Sequence, residues 1–575
     1  MDGLNPATVR RREPLGASHG WSPQVHPALQ RVYAARGVLT PDEAEYRLAR
    51  LLAPTQLGGL DAAAALLAEV IDAGGDILVA GDYDCDGATG TAVAVRALQR
   101  LGASRVGYVI PDRAVHGYGL SAALIESLPR LPSLILTVDN GVASVEGVAL
   151  AQARGCRVIV TDHHLPGDVL PTADAMVNPN LPDEGFPSKA LAGVGVMFYL
   201  MLALRAWLRA RGDYADRPEP DLSGLLDLVA LGTVADLVPL DFNNRILVDA
   251  GLRRIRSGRA CPGILGLLEV GKRDPARISA SDLGFAVGPR LNAAGRLEDM
   301  SLGVECLLTD DVGQARDYAE QLDRINRERR ALQSDMVEEA QVLADDVLAD
   351  TRAVGICLYE PSWHPGVIGL VASRVKDQRH RPVVAFAPAS AEQPDALRGS
   401  ARSISGFHIR DALALIDARE PGLIERFGGH AMAAGLSLPL AHYPRFAELF
   451  NQLASETLSA EQLSAVLHTD GELAPGEAGL ELAQQLRQAG PWGQAFPEPL
   501  FDNVFDCVNW RMMGEKHWRL RLRDPRDGRH LDAVMFNIDV DTVPPARLHA
   551  VYELAVNEWQ GRLEVRMILR QIGPA

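Results

Sequence analysis

The sequence has only six cysteines, Cys85, Cys156, Cys261, Cys306, Cys357 and Cys507, and none forms a CxxC pair. That spacing excludes a zinc ribbon or a dense disulfide framework and fits reduced thiols with structural roles. No apolar run reaches the roughly 20 residues that cross a bilayer. The longest, Leu191 to Leu204, stops at Arg205 and reads as a buried helix. The opening stretch MDGLNPATVRRREPLG has arginines but no apolar segment or small-residue cleavage site behind them, so no secretory signal is visible and a cytoplasmic location is expected. Positive charge is in deficit too. A net charge of −17 argues against coating nucleic acid non-specifically, because that binding neutralises phosphates with Lys and Arg. A phosphate-bearing substrate would need a local groove of arginines, or metal ions, set into an acidic surface.

What is present is ordinary for a globular protein: 575 residues, 47% hydrophobic and 23% charged. At about 150 residues per domain, the length predicts three or four domains. Between Asp76 and Val160 the apolar, β-branched runs DILVAG, SLILTVD and CRVIVTD alternate with helical stretches, the signature of βαβ units and a parallel sheet. The region to about residue 310 reads as mostly helical. From Asp310 to Asp350 there is no Pro and no Gly after Gly313, while Tyr318, Leu322, Ile325, Leu332, Met336 and Leu343 recur near helical spacing; this predicts a long, partly exposed connecting helix. A second α/β segment begins at AVGICLY, and after about residue 468 the alternation in HWRLRLR and RLEVRMILR predicts antiparallel β structure closing into a small barrel. The expected architecture is therefore α/β. A helical extension (1–70) precedes a parallel-sheet catalytic domain (71–309), then come a connecting helix (310–350), a second α/β domain (351–462) and an all-β barrel (463–575).

The first strand runs into GDYDCDGATGTA, which places Asp82, Asp84 and Asp86 at its carboxyl end, where alternate residues of an extended chain face one way. Three carboxylates on one side repel strongly unless cations compensate them, so the arrangement points to a metal site. Alone, the motif could equally be an Asp-rich turn capping a helix. The next strands end in Asp139-Asn140-Gly141 and Asp162-His163-His164. Ligands of open α/β sheets bind at the carboxyl ends of strands, and three consecutive strands here deliver metal-ligand types to one edge. Asp236, a single acid inside LVALGTVADLVPL, could be an N-cap or a further ligand, since an unpaired buried carboxylate is costly.

GDYDCDG, VDNG, TDHH and GTVAD resemble, in order, the motifs of the DHH phosphoesterase superfamily, and FGGHAMAAG resembles the glycine-rich motif of the associated DHHA1 domain. GPRLNAAGRL, SWHPGVIG, GSARSISGFHI and GPWGQAFPEPLF are similar to a branch of it, the bacterial single-strand-specific 5′ exonucleases. The resemblance implies two divalent ions, Mn²⁺ or Mg²⁺. Asp139 would bridge them, with Asp84 on one side and Asp86, His163 and Asp236 on the other. It places His164, Asp139 and Asp82 in catalysis, His164 facing the scissile phosphate. The superfamily often has a histidine four residues before Asp84; this chain has Ala80 there, with Asp82 two residues closer. Imidazole among the ligands suits Mn²⁺ better than Mg²⁺.

Arg113, Arg290, Asn292, Arg296, His364, Ser400, Arg402 and His430 are candidates for holding substrate, with a 5′-phosphate pocket implied by the resemblance. Each arginine taken singly could equally be a surface ion pair. In the barrel, Arg519, Arg521 and Arg523 alternate with Trp518, Leu520 and Leu522; this could track a single-stranded backbone with Trp510 stacking a base, or be a solvated charged face. The implied partner is single-stranded DNA, with a single-strand-binding protein and a helicase as further partners. A monomer without membrane contact is expected. The alternative activity is a phosphodiesterase of the same superfamily acting on short oligonucleotides or cyclic dinucleotides.

Overall fold

The fold is that of a computed structural model, which describes residues 7–112, 115–349, 353–514, 516–538, 542–559 and 561–575. The runs ILVA, LILT and RVIVT form short strands, Ile77–Ala80, Leu134–Thr137 and Arg157–Thr161, whose residues are almost all buried. They lie in a five-stranded parallel sheet in the order Val106–Val109, Ile77–Ala80, Leu134–Thr137, Arg157–Thr161, Ala175–Val177. The winding reverses between Ile77–Ala80 and Leu134–Thr137, so the carboxyl ends of these two neighbours flank the crevice where such sheets bind ligands. The apolar stretch singled out in the sequence becomes the helix Gly193–Arg211, buried along most of its length against the helices Cys85–Leu101 and Leu60–Asp72. By length and composition it could cross a membrane; here it is the core helix of the domain.

The connecting helix spans Val312–Leu348, started by Asp311, whose carboxylate accepts the Gln314 N–H at 2.7 Å. Its fully buried positions are Ala315, Ala319, Leu322 and Ile325, then Met336, Ala340 and Ala344. Alanines thus supply much of the inward face, and Tyr318, Leu332 and Leu343 lie at its margin. The second α/β domain holds a five-stranded sheet in the order Arg426–Gly429, Ala433–Pro439, Gln393–Arg402, Val383–Ser390, Ile356–Tyr359, parallel only in the last pair. Phe501–Met512, His517–Arg523, His530–Phe536, Arg562–Pro574 and Arg547–Trp559 close into a barrel in that order.

One hydrophobic core runs from the N-terminal helices through the parallel-sheet domain into the barrel, whereas the second α/β domain packs around cores of its own. The N-terminal segment joins the first group. It is not purely helical: Thr8–Arg11 forms a strand that pairs in parallel with Val466–Thr469, at the entry to the barrel. Local pattern could not reveal this, because the pairing partner lies more than 450 residues away. Behind it, Arg36 donates to Asp470 at 2.6 and 3.0 Å and to the carbonyls of Val32 and Pro497, with its guanidinium 5.4 Å from the ring of Trp492. Both side chains of this pair are almost sealed from water, at 2% and 1% exposure. Further along, Leu52 receives a bond from Tyr199 and donates to Asn243 of the catalytic domain. The first fifty residues thus strap the barrel to the domain that carries the sheet.

Because breaking a buried ion pair strands a charge, Asp470→Ala should cost about 3–5 kcal/mol, and Arg36→Met less, since Arg12 still reaches Asp470 at 3.5 Å. The double substitution should cost much less than the sum. Urea denaturation of the four proteins measures this coupling, and additive effects would show that the pair is not the fastening.

Candidate active site

The sequence suggests alternation along an extended chain for Asp82, Asp84 and Asp86, but the strand ends at Ala80 and the helix Cys85–Leu101 begins almost at once. Asp82 lies buried in the intervening turn. Asp84 is the N-cap, accepting the Gly87 N–H at 3.0 Å, and Asp86 sits in the first turn. The helix start, rather than strand pleating, brings the three together. It can press onto the turn because residue 87 is glycine: a Cβ there would lie 2.6 Å from the backbone N and O of Asp82. Asp86 turns inward, its two oxygens accepting the N–H groups of Gly193 at 2.6 Å and Val194 at 2.9 Å, at the positive end of the core helix. Gly193 has no room for a side chain, since a Cβ would stand 2.5 Å from that of Asp139.

Asp139 follows the neighbouring strand with φ of 61°, a left-handed conformation uncommon outside glycine and held by its surroundings. Asn140 supplies part of that hold, donating to the carbonyls of Ala80 and Val138 at 3.1 and 2.8 Å. The third strand delivers Asp162, His163 and His164. Asp162 accepts the N–H groups of Val142, His163 and His164 and, at 2.7 Å, the ring Nδ1 of His164. Asn178 and Asn180 hold the carbonyls of His164 and His163. Asp236 ends the helix Leu226–Ala235 as its C-cap, not as an N-cap, because the helix runs into it.

Burial, and then the charge of the neighbouring carboxylates, push Asp82, Asp86 and Asp139 well above the ordinary aspartate range. Burial raises Asp236 as well and lowers His163. Asp162 behaves in the opposite way: burial would raise it, but the hydrogen bond and charge of His164 outweigh that and hold it low. The pairing lifts His164 to about 9 against its own burial. Asp82 Oδ1, Asp139 Oδ1 and His163 Nε2 are buried without a hydrogen-bond partner, although the last two stand only 2.9 Å apart. Atoms so close yet not aligned for a hydrogen bond suit a shared cation. Ligand atoms gather within 4.8 Å in three trios, Asp82–Asp84–Asp139, Asp86–His163–Asp236 and Asp139–His163–His164. The donor set fits two divalent ions, and Asp82 stands with Asp84 and Asp139 in one of the trios, where Ala80 offers no ligand atom.

Among the other candidate residues, His430 reaches the site from the second α/β domain, its ring stacked on His164 with centroids 5.7 Å apart. Asn292 acts on the metal loop, accepting the Cys85 N–H at 2.7 Å. Arg290 is committed to Asp323 of the connecting helix at 2.8 Å. Arg296 reaches the carbonyl of Gly366 at 3.4 Å, and the His364 ring accepts the Gly366 N–H. Ser400 and Arg402 bond each other at 3.0 Å over Gly369, in the first turn of the helix Ile368–Arg379. Arg113 lies outside the described residues. In the barrel, Arg519 and Arg521 face Asp532 and Arg523 faces Asp506, so this arginine row is largely paired; Trp510 is partly exposed beside Trp518. Sequence reasoning missed Tyr118, whose hydroxyl donates to the carbonyl of Asp139 at 3.1 Å and whose ring meets His164 edge-on. It stands in the same IPDRAVHGYG stretch as Arg113, which was the available signal.

Family models match the chain in order: the DHH family, N-terminal domain, at residues 76–233, the DHHA1 domain at 350–456, and the RecJ OB domain at 469–571. The single-stranded-DNA-specific exonuclease RecJ of Dickeya dadantii is 50% identical over 580 residues, covering 99% of this chain and 100% of the relative. The chain belongs to the RecJ family. The RecJ of Escherichia coli is 48% identical over 98% of this chain and 99% of its own length. The crystal structure of RecJ from Thermus thermophilus in complex with Mn²⁺ superposes with a TM-score of 0.80 at 31% identity, covering 99% of this chain and 80% of that one. The resemblance read from the motifs, and the order of sheet, connecting helix, second α/β domain and barrel, are those of RecJ.

The crowded carboxylates set a sign for stability. Raised folded-state values mean that the folded protein binds these protons more tightly than the unfolded chain. Metal-free protein should therefore lose stability as pH rises from the ordinary aspartate value of 3.8 through the raised folded values. At pH 7 after chelation, Asp139→Asn should melt no lower than the wild type, since Asn tolerates positive φ, and should lose the upward shift that Mn²⁺ gives the wild type. Thermal melts with and without Mn²⁺ test this; an Asn variant still stabilised by Mn²⁺ to the wild-type extent would refute the ligand assignment.

Proposed function

We propose that this protein hydrolyses single-stranded DNA from its 5′ end, releasing 5′-mononucleotides, with Mn²⁺ or Mg²⁺, in DNA repair and recombination. The observation that carries the reading is the convergence of partnerless buried ligand atoms from Asp82, Asp139 and His163 at the sheet edge of a RecJ-family chain. Bound there, a pair of divalent ions supplies an activated water and neutralises the departing oxygen.

Asp82, Asp84 and Asp139 would hold one ion, and Asp86, His163 and Asp236 would hold the other. Asp162 orients His164 through the bond to its Nδ1, so that the ring would face the scissile phosphate and could donate to the charge developing there. His430, stacked against His164 and lowered by burial and by the neighbouring imidazoles, closes the site from the opposite domain. Ser400 and Arg402, at the amino end of the helix Ile368–Arg379, offer hydroxyl, guanidinium and backbone N–H groups to a terminal phosphate. A terminal phosphate seated there would select a 5′ end. The barrel, fastened to the catalytic domain by a common core, extends the contact to the rest of the strand. Its exposed Trp510, Met512 and Phe536, flanked by Arg511 and Arg519, suit docking of a single-strand-binding protein, and a helicase would supply the strand.

The test is a 5′-phosphorylated single strand and its duplex, each incubated with wild type or Asp139→Ala. Mononucleotides should come from the single strand with wild type only, and Mn²⁺ should support at least the rate seen with Mg²⁺. An equally active Asp139→Ala protein would end the proposal, and equal rates on dinucleotides and long strands would favour a small-substrate phosphodiesterase.

A further inference from the structure

Two large apolar side chains stand in water beside the metal site. Phe285 is 81% exposed and Leu237 is 69% exposed. Single exposed apolar residues are common and need no explanation, but these two share three further features. Leu237 immediately follows the ligand Asp236, and its φ of 61° is a conformation that bulky residues seldom adopt. Phe285 sits on a π-helical turn, Leu283–Val287, a departure from regular helix that recurs at functional sites. The two irregular turns are packed together: a Cβ on Gly284 would lie 3.3 Å from Val234, and one on Gly288 would lie 3.2 Å from Ala235. The π turn also leads directly into the helix Gly288–Leu297, whose Asn292 holds the metal loop.

The same stretch leads away from the metals toward the barrel. Three residues after Leu237, the Leu240 N–H donates to the carbonyl of Gln494 at 2.8 Å, in the segment that enters the barrel. Leu237 thus lies on the chain between the ligand Asp236 and the contact with the segment that enters the barrel, and Phe285 on the turn packed against the same helix end. Neither belongs to a buried core cluster, Leu237 has an unfavourable backbone and Phe285 an irregular turn, so folding alone does not account for them. Apolar side chains offer a phosphate no hydrogen bond, whereas a base of any sequence presents an uncharged π face to them.

We infer that Phe285 and Leu237 form an apolar platform on which a nucleobase of the single strand stacks as it runs from the metal site toward the barrel. The inference rests on the exonuclease reading and makes these two residues determinants of strand recognition. A paired base is already stacked and hydrogen-bonded within its duplex, so the platform favours a single strand.

The experiment uses the full-length protein with Mn²⁺ and a set of 5′-phosphorylated single strands, each with one abasic position moved stepwise from the 5′ end. Phe285→Ala removes no core packing, and Leu237→Gly relieves the backbone, so both variants keep the fold. Phe285→Ala should raise KM for the intact strand about 5- to 150-fold, the range for losing one base–aromatic stack, with a smaller change in kcat. Phe285→Trp should restore it. Wild type should slow when the abasic position reaches the platform, and that positional dip should vanish in Phe285→Ala and weaken in Leu237→Gly. Unchanged KM and an identical abasic profile in Phe285→Ala would overturn the inference. A wild-type protein inert toward every strand would overturn the exonuclease reading instead.

Discussion

Asp82, Asp86 and Asp139 are buried beside one another, and each carboxylate makes its neighbours harder to ionise. The surrounding structure answers that repulsion at each point. Asp86 is met by two N–H groups at a helix amino terminus, Asp162 by three N–H groups and an imidazolium, and Asp139 by a backbone conformation that only its neighbours can hold. The atoms left unanswered, on Asp82, Asp139 and His163, are those that cations would complete. The small residues at positions 87 and 193 belong to the same constraint, because the helices must start almost in contact with the carboxylates they orient.

Above this edge the site is assembled from two separately packed bodies. The catalytic sheet, the N-terminal strap and the barrel share one core, and the second α/β domain is carried on the connecting helix with cores of its own. The helix Gly288–Leu297 touches both sides, holding the metal loop through Asn292 and meeting the second domain at Gly366 through Arg296. Stacking of His430 on His164 closes the gap at the level of the chemistry. In the proposed function, one body would hold the terminal phosphate and the other hydrolyse the bond, which makes polarity a property of their relative position.

Charge is distributed to match. Although the chain is strongly acidic, Arg290, Arg519, Arg521 and Arg523 are paired with carboxylates, and Arg36 is buried against Asp470. Many arginines that a sequence offers as phosphate binders are therefore fastenings. On the proposals above, recognition of a single strand would then lean on metal ions, on a few groups at a helix terminus, and on apolar and aromatic surface.

The sequence by itself determined the parallel sheet, the three motif-bearing strand ends, the long helix, the barrel and the family. Each rests on short-range periodicity or on motifs contiguous in the chain. Only the tertiary structure decided that Asp86 caps the helix at Gly193, 107 residues on, that Asn292 holds Cys85 across 207 residues, and that the strand Thr8–Arg11 belongs to the barrel side. It also decided that Tyr118 holds the carbonyl of Asp139, that Asp162 holds the ring of His164, and that Asp82 gathers with Asp84 and Asp139. The physical reason is common to all of them. A hydrogen bond or a packed ring between distant residues leaves no periodic trace in the sequence, because its geometry exists only once the intervening chain has folded.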